Sequence, residues 1–126
     1  MFTGIITDVG EIQSINLDNG KIKISSSFNH KDIDLGASIC CSGICLTVVE
    51  KNKFNDNSYF CFEVSQETIS RSSVKFWKNH TKINLEKSLK FGDEVGGHLV
   101  TGHVDCLGEI DSIIKSKNSN VFKIKY

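Results

Sequence analysis

The chain has no proline in its 126 residues. Every chain reversal must therefore rely on Gly, Asn, Asp or Ser. It also lacks an excess of charge, with 15 Lys and Arg against 15 Asp and Glu. A balanced surface gives no electrostatic footprint for nucleic acid or for an anionic membrane. No apolar run approaches the roughly 20 residues that a membrane-spanning helix needs. No basic stretch followed by an apolar one stands at the N-terminus, so no secretory signal is indicated. Without such a signal, an odd set of 5 cysteines reads as reduced thiols of a cytoplasmic protein. Metal-ligand spacing is missing too. Cys45, Cys61 and Cys106 form no C-x-x-C pair, and adjacent Cys40 and Cys41 point to opposite faces of a strand. His98 and His103, five residues apart on an expected strand, also fall on opposite faces, so no metal site is expected.

What the sequence does contain is its own opening, twice. Phe2-Thr3-Gly4-Ile5-Ile6-Thr7-Asp8-Val9-Gly10-Glu11-Ile12 aligns without a gap on Val100-Thr101-Gly102-His103-Val104-Asp105-Cys106-Leu107-Gly108-Glu109-Ile110. The Thr, both Gly, the Glu and the closing Ile coincide. A spaced pattern of glycines and apolar residues seen twice points to one structural unit used twice. Residues 1–95 are expected to form the first unit. Residues 96–126 are expected to be a linker and the first two strands of a second, incomplete unit.

Short alternating apolar runs broken by turn residues predict an all-β barrel or sandwich with short helical segments. Strands are expected over Thr3–Ile15, Lys21–Ser25, Ala37–Cys41, Ile44–Glu50, Tyr59–Ser65 and Lys82–Glu86. Asp18-Asn19-Gly20 and Asn55-Asp56-Asn57 read as turns, and Glu67–Arg71 and Val74–Lys78 as short helical pieces. Lys90–Gly97 reads as a linker, His98–Ser112 as the first strand repeated, and Val121–Lys125 as the second, with Lys123-Ile124-Lys125 echoing Lys21-Ile22-Lys23.

Ser42-Gly43 between two β-rich runs predicts a tight hairpin. Its register pairs Cys41 with Ile44, Cys40 with Cys45, Ile39 with Leu46 and Ser38 with Thr47. Period-two alternation then puts Ile39, Cys41, Ile44 and Leu46 on a core face. Ser38, Cys40, Cys45 and Thr47 share the other face, and two hydroxyls with two thiols suit a polar, ring-containing ligand. Cysteine also fills space in cores without any chemistry, which leaves a purely structural reading of that face open. His103 replaces Ile5 in the repeat, so one copy has a proton-transfer group where the other is aliphatic. An exposed histidine on a strand is the plainer account. Glu67-Thr68 either opens a helix, where the dipole favours Glu, or stands at the rim of a pocket, ready for a polyol.

Met1-Phe2-Thr3-Gly4-Ile5-Ile6, Gly36-Ala37-Ser38, Gly43-Ile44-Cys45-Leu46-Thr47-Val48, Glu67-Thr68 and Gly96-Gly97-His98-Leu99-Val100-Thr101-Gly102-His103-Val104 occur in this order. Together they resemble riboflavin synthase of the alpha-chain type. The resemblance covers the whole chain. It implies a six-stranded Greek-key closed barrel followed by an incomplete second copy, in a family with two such barrels per subunit that assembles as a trimer. For a first barrel alone, self-association as a dimer is expected.

The implied reaction is a dismutation. Two molecules of 6,7-dimethyl-8-ribityllumazine exchange a four-carbon unit, giving riboflavin and 5-amino-6-ribitylamino-pyrimidinedione. No metal or organic cofactor is implied. The implied catalytic candidates are Ser38, Cys45 and His103. The implied substrate-binding residues are Phe2, Gly4, Ile5 and Ile6 along the ring, then Cys45, Leu46 and Thr47 on the facing strand. Glu63, Val64, Ser65, Gln66, Glu67 and Thr68 would hold the ribityl chain and ring edge, with Gly102, His103 and Val104 as the matching wall. A non-catalytic lumazine- or flavin-binding protein on the same barrel is the alternative.

Overall fold

The computed structural model describes every residue from Met1 to Tyr126. Its strands are β1 (Asp8–Asn16), β2 (Lys21–Ser26), β3 (Ser38–Cys41), β4 (Ile44–Phe54), β5 (Asn57–Glu63), β6 (Lys82–Lys87), β7 (Glu109–Lys115) and β8 (Asn120–Lys125). One helix, α1 (Gln66–Arg71), follows β5, and 3-10 turns lie at His30–Asp32 and Ser73–Phe76. The first six strands close into an antiparallel barrel in the order β1-β2-β5-β4-β3-β6, with β6 returning to β1. The strand pattern left a barrel or a sandwich open, and the closed six-stranded all-β barrel is the one that the resemblance implies.

The barrel forms because alternation along each strand sends one set of side chains inward. Ile22 and Ile24 of β2 meet Phe60 and Phe62 of β5, and Ile39, Cys41, Ile44 and Leu46 of the β3–β4 hairpin close the far side. Ile12, Ile83, Val48 and Leu85 complete a continuous interior with Trp77 and Ile69 at one end. Each fully buried Ile or Phe contributes about 1.5–3 kcal/mol. The interior therefore dominates stability over the surface ion pairs. The hairpin register is the one that the Ser42-Gly43 turn predicts, pair for pair.

Other elements differ from the sequence expectation. β1 begins at Asp8, not Thr3, and β7 at Glu109, not His98. The cause is the same in both copies. Gly4 and Gly102 take φ of 84° and 76°, a left-handed turn that no strand contains. β4 runs on to Phe54 and β5 starts at Asn57, so the turn is only Asn55-Asp56, with Asn55 at φ 54°. The second helical piece is the 3-10 turn Ser73–Phe76, ending before Trp77, whose N–H bonds back to Val74 O at 2.9 Å.

β7 and β8 pair only with each other. Their ladder repeats that of β1 and β2, down to a bulge between Ile110 and Ser112 that matches the one between Ile12 and Ser14. Ser14 pairs with Lys23 and Ser112 with Lys123. The structural counterpart of Lys123-Ile124-Lys125 is thus Lys23-Ile24-Ser25, two residues along from the echo visible in the sequence. Both turns are four residues long, but the β7–β8 ladder runs one pair further, to Lys115 and Asn120, and a similarity of letters cannot register that.

Candidate functional site

The outward face of the β3–β4 hairpin carries Cys45 beside Cys40 and Thr47 beside Ser38. Glu86 of β6 stands next to Cys40 in the same row. Two segments that belong to no barrel strand cross this face. The first is the chain opening. Phe2 N–H donates to Val100 O at 2.9 Å, and Val100 N–H donates to Phe2 O at 3.0 Å. Phe2 and Val100 are equivalent in the repeat, so the two copies meet antiparallel across a local two-fold axis. His98 N–H adds a bond to Thr3 O at 2.9 Å.

The second segment carries the repeated glycine onto the thiol hairpin. Gly102 O accepts from Cys45 N–H at 2.9 Å. A Cβ on Gly102 would lie 2.8 Å from Cys45 Cβ and 2.9 Å from Cys45 N. Both the left-handed φ and this close approach require glycine. Thr101 Oγ1 accepts from His103 N–H at 3.2 Å, as Thr3 Oγ1 accepts from Ile5 N–H at 3.2 Å. The two copies therefore turn in the same way.

A cleft of about 270 Å³ opens where these parts meet. Ile44 and Cys45 form one side, Gly102 to Asp105 the other, and Glu67, Thr68 and Arg71 the mouth. Val104 is half-buried and packs on the barrel core, which fixes the wall. At the mouth, Ser65 caps α1 by accepting from Thr68 N–H at 3.1 Å, and its hydroxyl lies 3.0 Å from that of Thr68. Glu67 pairs with Arg71 at 3.2 Å, and Arg71 Nη1 reaches Asp105 O at 3.4 Å. The guanidinium thus ties the helix to the crossing segment. The site combines a half-buried thiol, an exposed imidazole, a carboxylate, a hydroxyl and a guanidinium around one apolar floor. Such a set can hold a flat heterocycle and hydrogen-bond a polyol tail.

Six of the residues singled out in the sequence converge here: Cys45, Glu67, Thr68, Gly102, His103 and Val104. The others are placed elsewhere. Ser38 and Thr47 pair further along the same face and do not border the cleft. Leu46 and Val64 point into the core. Ser65 caps the helix, and the Gln66 amide donates away to Leu17 O at 2.8 Å. Glu63 pairs with Lys21 at the end of β5. Phe2 is fully buried. Gly4, Ile5 and Ile6 lie off this cleft, and Ile5 instead borders a wider one of about 780 Å³ beside Glu86 and Lys90. Ile5 and Ile6 remain 48% and 45% exposed. Among the thiols, burial pushes Cys40 above its ordinary value and enclosed Cys41 well above, which disfavours the thiolate of both. No three His, Cys, Asp or Glu side chains come together to hold a metal ion.

The sequence reading missed Arg71 and Asp105, which line the cleft, and Glu86, which lies beside Cys40 outside it. Arg71 had a signal, four residues after Glu67 on a helix. Glu86 had none, because a carboxylate alternating with Leu85 in a strand reads as solvent-facing. It is in fact 4% exposed.

A closed antiparallel barrel whose thiol-bearing hairpin is roofed by a second copy of its own opening defines a class of internally duplicated Greek-key barrels. The family model described as lumazine binding domain matches residues 3–88, and the chain belongs to that family. It is 47% identical over 113 residues to riboflavin synthase of Brucella abortus (strain 2308), covering 87% of this chain and 56% of that protein. It is 37% identical over 127 aligned positions to riboflavin synthase of Actinobacillus pleuropneumoniae, covering 99% of this chain and 57% of that protein. The chain thus spans little more than half the length of these curated relatives. Among solved structures it is similar to LumP complexed with 6,7-dimethyl-8-(1'-D-ribityl) lumazine, with a TM-score of 0.71 and 24% identity over 100% of this chain and 69% of that one. LumP complexed with flavin mononucleotide gives a TM-score of 0.67 and 25% identity over 99% of this chain and 69% of that one. No helix here is long and apolar enough to cross a membrane.

Proposed function

We propose that this chain is the first lumazine-binding barrel of a riboflavin synthase and binds 6,7-dimethyl-8-ribityllumazine or riboflavin in the cleft between Cys45 and His103. Residues 1–95 form that barrel, and residues 96–126 begin a second one. The observation that carries the reading is the Cys45 N–H to Gly102 O bond, which joins the second copy's Gly-His-Val wall to the first barrel's thiol hairpin. The heterocycle lies between Cys45 and Val104, and the ribityl chain runs to Glu67 and Thr68. His103 and Cys45 face the ring for proton transfer and nucleophilic addition. Ser38 acts from the next pair on the same face, opposite Thr47.

The dismutation needs two such rings stacked in opposed orientation, and holding them so supplies much of the rate. One barrel holds one of them. The chain is therefore expected to bind ligand and to turn over slowly or not at all, while the whole protein works as an oligomer, a trimer by family resemblance. Titration with riboflavin tests the binding step. Saturable quenching of flavin fluorescence is expected, and a linear, unsaturated response up to about 1 mM overturns it. Catalytic roles are tested by Cys45→Ser, Ser38→Ala and His103→Gln in a two-barrel enzyme carrying these residues. Loss of about 100-fold in turnover is expected for His103→Gln, and unchanged turnover in all three removes the assignment.

A further inference from the structure

Glu86 is a carboxylate buried on the outer face of the barrel, where no cation meets it. Its salt-bridge partners are absent, and its three bonds all come from the chain opening. Oε1 accepts from Thr3 N–H at 2.7 Å and from Thr3 Oγ1 at 2.6 Å, and Oε2 accepts from Gly4 N–H at 3.1 Å. Bonds to an ionised acceptor are about twice as strong as neutral ones. The opening is thus held to β6 by one side chain more firmly than by its few backbone bonds, Thr7 N–H to Leu85 O at 3.0 Å and Leu89 N–H to Met1 O at 3.0 Å.

The same opening is what the cleft wall leans on. Between Lys90 and Glu109 the chain contains no strand or helix. Four backbone–backbone bonds tie it to the rest of the molecule, the pair between Phe2 and Val100, His98 N–H to Thr3 O, and Cys45 N–H to Gly102 O, while the Arg71 side chain holds Asp105 O. Three of these four bonds end on Phe2 or Thr3, next to the residues that Glu86 grips. A path therefore runs from the Glu86 carboxylate by hydrogen bonds to Thr3, along the chain to Phe2, by hydrogen bonds to Val100, and along the chain again to Gly102 and the His103 wall.

Resting on the ligand reading given above, we propose that Glu86 is the positioning residue of the His103 wall. It touches neither ligand nor His103. Its carboxylate fixes Thr3 and Gly4, Thr3 holds His98 and the adjoining Phe2 holds Val100, and the wall then meets Cys45 in one place. Removing the carboxylate lets the opening and the wall move together while the barrel interior, on the opposite face of β6, stays closed.

Glu86→Gln tests this because one acceptor becomes an NH₂ donor facing either the Thr3 donors or Gly4 N–H. Thr3→Val is the second variant. It deletes the hydroxyl that donates to Glu86 and leaves β6 intact, should Glu86→Gln fail to fold. Amide hydrogen exchange is the ligand-free readout. Exchange at His98, Val100 and Cys45 is expected to speed by about tenfold, with the amides of β2 and β5 unchanged. Riboflavin affinity is expected to weaken by about tenfold. Ile83→Val, in the core, is expected to lower the melting temperature without changing affinity. Unchanged exchange at Val100 and Cys45 overturns the proposal, and so does an equal acceleration across β2 and β5, the mark of a merely structural role. If the unaltered chain fails to bind riboflavin, the reading of the cleft falls, and the exchange pattern still decides whether Glu86 positions the wall.

Discussion

At the scale of single residues, the cleft depends on a contact that leaves no room for one carbon atom. Gly102 sits left-handed against Cys45, with 2.8 Å between its absent Cβ position and the Cys45 Cβ. Gly102→Ala adds backbone strain of about 1–2 kcal/mol and a clash that the wall can relieve only by lifting from Cys45. The barrel strands keep their contacts with one another, and only the packing of Val104 on the core is loosened. The expected outcome is a riboflavin affinity at least about tenfold weaker with a melting temperature lowered by only a few degrees. Flavin fluorescence titration and thermal denaturation read the two effects separately. Wild-type affinity in this variant would show that ligand does not use the Gly102–Val104 wall. The neighbouring thiols sort by the same local physics. Cys40 and Cys41 are hard to ionise because they are buried, whereas Cys45, on the row beside Cys40, reaches the cleft.

At the scale of elements, the start of β1 is pinned to the end of β2 through one acidic side chain. Asp8 Oδ2 accepts from Ser26 Oγ at 2.6 Å and from Ser27 N–H at 2.9 Å, and Oδ1 accepts from Ser27 Oγ at 2.9 Å. Partial burial raises the carboxyl, but these bonds together outweigh it and hold Asp8 below its ordinary value of 3.8. The unfolded chain therefore takes up this proton more readily than the folded one. The bonds stabilise fully above the ordinary value, and their contribution is lost as pH falls through the lower folded value. Discounted for solvent screening, it amounts to about 1 kcal/mol. Urea midpoints at about pH 6 and about pH 3 check this. Wild type is expected to lose more stability on acidification than Asp8→Asn, and equal losses would show that the bonds do not discriminate protonation states.

Elements also show where the sequence is readable. The β3–β4 register was legible because a two-residue turn and period-two alternation leave one pairing that buries Ile39, Ile44 and Leu46 together. The opening segments were not. Apolar alternation continues through Ile5 and Ile6, and through Val104, so the pattern extends the strand across the glycine at which the backbone turns away. Nor could the sequence divide the candidate residues into those that share the cleft, such as His103 with Cys45, and those that do not, such as Ile5. That division follows from the Phe2–Val100 pairing, a long-range contact between two copies with no local signature.

At the scale of the whole molecule, the repeat produces two versions of one ladder in different surroundings. Ile12, Ile22 and Ile24 are 0%, 2% and 1% exposed inside the barrel. Their register equivalents Ile110, Phe122 and Ile124 are 56%, 53% and 58% exposed, with Ile113 at 48% on the same face. A face patterned to line a core thus meets solvent, on a two-stranded unit that is marginally stable alone. Its outer edges are unpaired and carry the risk of pairing with another chain. The whole chain is expected to associate as its concentration rises, with β7–β8 as the contact. Ile113 and Phe122 lie opposite each other in the ladder. The double variant Ile113→Lys, Phe122→Lys puts two like charges on that face and forbids its burial against a second copy. Sedimentation velocity on both chains checks the outcome. Wild type is expected to sediment faster with concentration and the double variant as a monomer throughout, at an unchanged riboflavin affinity, because neither residue borders the cleft. Association that survives both lysines would place the contact on another surface, and the exposed Ile5–Ile6 segment would be the next to test.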